Sequence, residues 1–164
     1  MSSDTPMNGG DDTELTPVPA SFDAARARRF ELGDAADVIE LFLARPASDP
    51  SWSMKVFEAL EDLRSAFSLH VHEVERPDGL LSRLVDDEPR LANGVSLLHS
   101  EHGEIDLRLT QVADLIRLCM PDCEHTVIEE VRAETVDVLS LISRHRQTGA
   151  DLVYEAYHVD IGGG

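Results

Sequence analysis

LANGVSLLHSEHGEIDLRLTQVADLI, residues 91–116, is the stretch whose reading decides the fold. Leu91, Val95, Leu98, Ile105, Leu109, Val112 and Ile116 recur at steps of three and four, with His102 filling the one slot between Leu98 and Ile105 that lacks an apolar residue. That spacing draws one stripe along a helix, the stripe that packs on neighbours. The same pattern occurs on either side. Val56, Leu60, Leu63, Phe67, His70 and Val74 form one stripe. Val131, Thr135, Val138, Ile142, His145, Gly149, Leu152 and Ala156 form another. Each of three helices thus aims one imidazole, His70, His102 or His145, into a core position.

The punctuation around these stripes sets the segments. A helix from about Ser53 to Arg76 stops at Pro77-Asp78-Gly79. A short helical turn fits Leu80 to Val85. A helix beginning near Pro89, a favoured first-turn position for proline, runs to Cys119 before Pro121. The last runs from Asp122 or Glu124 to Tyr157. Asp34 to Arg45 reads as a shorter N-terminal helix, although its apolar cluster also suits a short strand. Strand-like alternation of any length is lacking, so the expected fold is all-α, an antiparallel helical bundle of three long helices plus the shorter one. Residues 1–20, with four acids, no base, three prolines and Gly9-Gly10, read as a disordered acidic tail. Residues 21–164 read as the bundle domain.

The chain has 164 residues and a formal charge of −18, from 32 acids against 14 bases. Such a surface repels nucleic acid and anionic membrane at long range, so neither is an expected partner. No apolar run has the length of a membrane span and no signal pattern opens the chain, which points to a cytoplasmic protein. Two cysteines do not make a disulfide framework. Cys119 and Cys123 flank Pro121, and two partly buried small side chains at a turn is the favoured reading over a redox pair. No phosphate loop, nucleophile turn or zinc-protease motif is present, so no catalytic residue is assigned.

Helix geometry bears on whether the imidazoles meet. His102 lies about 25 Å before the Cys119 turn and His145 about 31 Å after Glu124, comparable heights in an antiparallel pair. His70 is only about 9 Å from Pro77, against about 20 Å for His102 from the start of its helix, so His70 joins them only if residues 78–88 shift the helices. Neutral imidazole is a common ligand for zinc, iron and copper, and bundles build such sites from inward histidines and carboxylates. Three core imidazoles therefore point to metal binding, with His99, Asp106 and Glu75 as further candidate ligands. Asp106 follows His102 by four residues. Glu75, five after His70, is off the stripe and needs its long side chain or a π-bulge to reach in. The other reading is a metal-free helical interaction or regulatory module whose histidines hydrogen-bond within the core.

Phe67-Ser-Leu-His70-Val-His-Glu-Val-Glu75, Pro89-Arg-Leu-Ala92 leading into Leu98-His-Ser-Glu101-His102-Gly-Glu-Ile105, and His145 to Tyr157 with Val159-Asp-Ile-Gly162 resemble the hemerythrin-like (HHE cation-binding) family over about residues 53–162. The resemblance implies a four-helix bundle holding two irons through histidines and carboxylates, with dioxygen or another small diatomic ligand bound in some members. This chain departs from the family pattern. No histidine precedes His70, His70 to Glu75 is one residue too long, His99 and His102 are three apart, and Ala150 stands where an aspartate is usual. The iron site implied by the resemblance is therefore mononuclear, remodelled or incomplete.

Overall fold

The computed structural model describes residues 19–158. Residues 1–18 of the expected 1–20 tail and the closing 159–162 stretch lie outside the described residues. The elements are α1 (Ser21–Leu43), α2 (Trp52–Glu75), α3 (Leu80–Asp87), a 3₁₀ turn (Pro89–Leu91), α4 (Ala92–Cys119) and α5 (His125–Tyr157). The fold is an all-α bundle; among the described residues there is no strand. No helix among them is long and apolar enough to cross a membrane.

The expectation of a short N-terminal helix from Asp34 is corrected: α1 is a full bundle helix of 23 residues. Its stripe is Phe22, Ala25, Arg29, Leu32, Ala36, Ile39 and Leu43, again at steps of three and four. Arg29 interrupts the apolar pattern, yet it is buried like its neighbours, with 6% of its surface exposed. An arginine in a core slot hid the first half of the helix from a hydrophobicity reading.

The four long helices run up and down. At one end Trp52 Nε1–H donates to Phe42 O (3.1 Å) and Ser53 Oγ–H to Pro121 O (3.2 Å), tying the α1–α2 and α4–α5 turns together. Cys119 and Cys123 are joined there by a disulfide, which corrects the reading of two unlinked side chains. At the other end α2 stops before Pro77, and the chain turns so tightly that a Cβ on Gly79 would lie 2.6 Å from the carbonyl oxygen of Val74. Only glycine fits that approach. The amphipathic α3 then lays Leu80, Leu81 and Leu84 over the bundle end, and Tyr157 Oη–H donates to Asp87 Oδ2 (2.7 Å) to hold it. This capping segment supplies the shift between α2 and α4 that the histidine heights require.

The core falls into two apolar clusters. One contains Phe67, Ile105 and Ile142; the other contains Val74, Leu98 and Ala150. His70 follows Phe67 and precedes Val74, His102 lies between Leu98 and Ile105, and His145 lies between Ile142 and Ala150. The histidines form a layer between the clusters. An imidazole in each of these slots contributes less than the roughly 1.5–3 kcal/mol of a buried aliphatic side chain.

Candidate metal centre

His70, His102 and His145 are 8%, 5% and 3% exposed, and their Nε2 atoms converge. His102 Nε2 is 3.1 Å from His145 Nε2, and His70 Nε2 is 3.3 Å from His145 Nε2. All three donor atoms lie within 4.8 Å of one another. Phe67 packs against the layer with its ring centroid 6.0–6.3 Å from the three imidazole centroids. A tetrahedral ion with metal–nitrogen bonds of about 2.05 Å spaces its nitrogens about 3.3 Å apart. The two measured spacings match those of a tetrahedral ion to within a few tenths of an ångström, and the buried group could hold a metal ion.

The other ring nitrogens fix the tautomers. His102 Nδ1–H donates to Glu75 Oε1 (2.6 Å), and His145 Nδ1–H donates to Glu101 Oε2 (2.9 Å). An ionised carboxylate only accepts, so on a neutral ring the proton stands at Nδ1 and the Nε2 lone pair faces inward. Two such lone pairs, on His102 and His145, face each other. His70 can donate to one of them but not to both. A buried acceptor left unpaired costs roughly 1–3 kcal/mol, whereas a metal ion accepts every lone pair at once. The carboxylate–imidazole–metal arrangement also orients ligands and raises their basicity. His70 differs, since its buried Nδ1 has no hydrogen-bond partner.

Glu75 reaches the site by the length of its side chain from a regular helix, and it does so on the outer edge of His102. Its Oε1 also accepts from His99 Nδ1–H (2.7 Å). Glu75, His99 and His102 form a second group whose ligand atoms lie close enough together to hold an ion. Their 2.6–2.7 Å spacings are those of charge-assisted hydrogen bonds. His99 is exposed, and Asp106 is exposed in the outer groove that Glu75, His72 and His99 also line. Asp106 is not in either group of converging donors. Hydrophobic periodicity passed over Glu101, although its place directly before His102, at the next helical position, was the available signal. Replacing Glu75 or Glu101 by glutamine is expected to weaken metal binding roughly 10–100-fold each while leaving helicity unchanged. Competition titration against a chromophoric chelator measures this, and wild-type affinity in both variants would remove the orienting role.

Burial keeps the rings neutral. It lowers the pKa of His70 to about 3, with the nearby His145 and His102 adding to the effect. Burial also lowers His102 and His145, against the opposing effect of their hydrogen bonds to Glu75 and Glu101. For Glu75, burial favours the neutral acid, but the hydrogen bonds from His102 and His99 outweigh it and the net shift is downward. A histidine in the unfolded chain takes a proton near pH 6.5, which the folded rings refuse. Below that pH the unfolded state binds more protons, so stability falls as pH falls from about 6.5 toward about 3. The metal-free protein is expected to show a lower denaturant midpoint at pH 5 than at pH 8, with a shallower pH dependence in His70→Leu. Equal midpoints at the two pH values would contradict neutral burial.

A cavity of about 40 Å³ adjoins the three rings, walled by Phe22, Val74, Leu80, Leu84 and Leu98 and by Arg29 and Arg146, among others. Compared with family models, curated proteins and solved structures, the chain matches none.

Proposed function

We propose that this chain is a hemerythrin-like metal-binding domain that holds a single iron ion on His70, His102 and His145 and takes a small diatomic ligand at the face left open. The observation that carries the proposal is the inward convergence of three Nε2 atoms, two of them with the opposite nitrogen committed to a carboxylate. Three neutral imidazoles suit iron, zinc or copper by donor chemistry, and the resemblance selects iron. A single ion at the point of convergence follows from the donors there. α1 carries no histidine, and Glu75 and Glu101 are engaged on the outer edges of the rings rather than at the point of convergence. When bound, the ion would supply a Lewis-acidic site with an open position. The protein contributes a largely apolar pocket, fixed tautomers on His102 and His145 and the Phe67 ring packed against the layer.

Metal analysis of the purified chain, with an absorption spectrum recorded after adding ferrous iron and then air, tests this. The expected result is one ion per chain and a raised melting temperature. Iron and zinc that both leave the melting temperature unmoved would favour the metal-free interaction module instead.

A further inference from the structure

The Cys119–Cys123 disulfide closes the turn between α4 and α5, at the end of the bundle away from α3 and outside the histidine layer. We infer that it is a thiol–disulfide exchange site, opened to a dithiol in the folded protein by a small thiol that is neutral or cationic apart from its sulfur. The inference does not depend on the metal reading above.

A cross-link stabilises a fold chiefly by restricting the unfolded chain, and more so for longer loops. This one joins residues only 4 apart in sequence and so restricts little. The turn is also held without it. Ser53 Oγ–H donates to Pro121 O (3.2 Å), Met120 N–H donates to Ile116 O (3.1 Å), and Met120, Val127 and Ile128 pack against the apolar core. Reduction therefore leaves the helices in place.

The two sulfurs are not equivalent. Cys123 lines an open cleft of about 580 Å³, with Asp49, Trp52, Pro121 and Ile128, a volume suited to a small molecule. Cys119 is not among the residues lining it, and its Sγ lies 3.2 Å from the carbonyl oxygen of Ile116 on its own helix. An incoming thiolate R–S⁻ thus meets Cys123 Sγ. The new bond forms there, the Cys119–Cys123 bond breaks, and its electron pair leaves on Cys119, which takes a proton and donates S–H to Ile116 O. A second R–S⁻ attacks the R sulfur of the mixed disulfide and expels the Cys123 thiolate, which takes the second proton. Two thiols are oxidised to R–S–S–R, and the protein disulfide gains their two electrons.

Charge selects the thiol. Asp49, Asp122 and Glu124 line the cleft and, among the described residues, no base does. Asp49 is offset by Lys55 at 3.7 Å, but Asp122 and Glu124, both exposed, flank Cys123 directly. On a chain of formal charge −18, these carboxylates repel an anionic thiolate and favour one that brings its own cation.

The test reduces the full chain with cysteamine, 2-mercaptoethanol and 2-mercaptoethanesulfonate, whose thiolates are neutral, singly anionic and doubly anionic overall. Alkylation and mass measurement give rates at equal thiolate concentration, and circular dichroism follows the fold. With cysteamine the folded chain is expected to open no more than about thirtyfold slower than the guanidinium-unfolded chain, with helicity unchanged. Relative to the unfolded chain and at low salt, cysteamine should outpace the sulfonate by about tenfold or more, and Asp122→Asn with Glu124→Gln should narrow that ratio to about threefold or less. Offered cystamine, the single thiol of Cys119→Ser should form a mixed disulfide at least about tenfold faster than that of Cys123→Ser. Greater protection of the folded chain, or opening only as helicity is lost, overturns the exchange site. Equal relative rates for the three thiols overturn the charge selection, and equal rates for the two single-cysteine variants overturn the attack at Cys123.

Discussion

His102→Ala is expected to lower the affinity for a first-row divalent ion by roughly a thousandfold. The binding free energy of a four-coordinate protein site is about 10–16 kcal/mol, so one ligand of several accounts for about 3–4 kcal/mol, before any loss of orientation among those remaining. His102 is the choice that separates readings best. Its Nε2 is 3.1 Å from His145 Nε2, and its Nδ1 takes the Glu75 carboxylate. Removing it deletes a ligand and one of the two imidazole donors to Glu75 in one step. His72→Ala is the matched control. It stands two residues after His70 on the same helix, exposed and facing the outer groove, and its loss should leave affinity unchanged. Competition titration gives both affinities, and circular dichroism verifies that each variant folds. A His102→Ala variant that binds like wild type, or a His72→Ala variant that loses as much, would sink the assignment of ligands.

What could be read from residue order and what could not divide along physical lines. The stripes on α2, α4 and α5 are legible because their polar interruptions are single imidazoles flanked by strong apolar residues. α1 is half legible. Its interruption is an arginine beside Ala25, a weak marker, so the pattern fades before Phe22. The three-histidine layer follows from helical phase, which sequence spacing fixes. The height of His70 does not, because it depends on how far α3 and the 3₁₀ turn displace α4, a packing outcome of Leu80, Leu81 and Leu84 on the bundle end. The carboxylates were the hardest. Glu75 and Glu101 act at the outer edges of rings, and periodicity finds residues that point inward. The same limit explains why Asp106, well placed by count after His102, lies in the groove and not at the point of convergence. The Cys119–Cys123 disulfide needs the shape of the α4–α5 turn, which spacing alone leaves open.

Replacing His70, His102 and His145 together by leucine is expected to stabilise the metal-free protein by roughly 3 kcal/mol. Each ring is buried against apolar neighbours, at least one inward lone pair has no proton to accept, and His70 Nδ1 has no partner. Leucine removes those desolvated nitrogens and extends the two clusters into one core. Its volume is near that of the ring, which keeps the strain of repacking below about 1.5 kcal/mol. Glu75 keeps its His99 donor but loses His102, and Glu101 loses His145; their side chains are 34% and 26% exposed, so water can replace those hydrogen bonds. With a metal ion the order should reverse. At a concentration about a thousandfold above its dissociation constant the ion stabilises the wild type by about 4 kcal/mol and the variant not at all. Denaturant unfolding of both proteins, with chelator and with metal, measures all four states. A histidine layer kept for structure would give the opposite sign in the metal-free pair, with the triple variant the weaker protein and metal shifting neither. A layer that weakens the empty fold and strengthens the loaded one has the energetic signature of a binding site, because its cost is recovered only when the ion arrives.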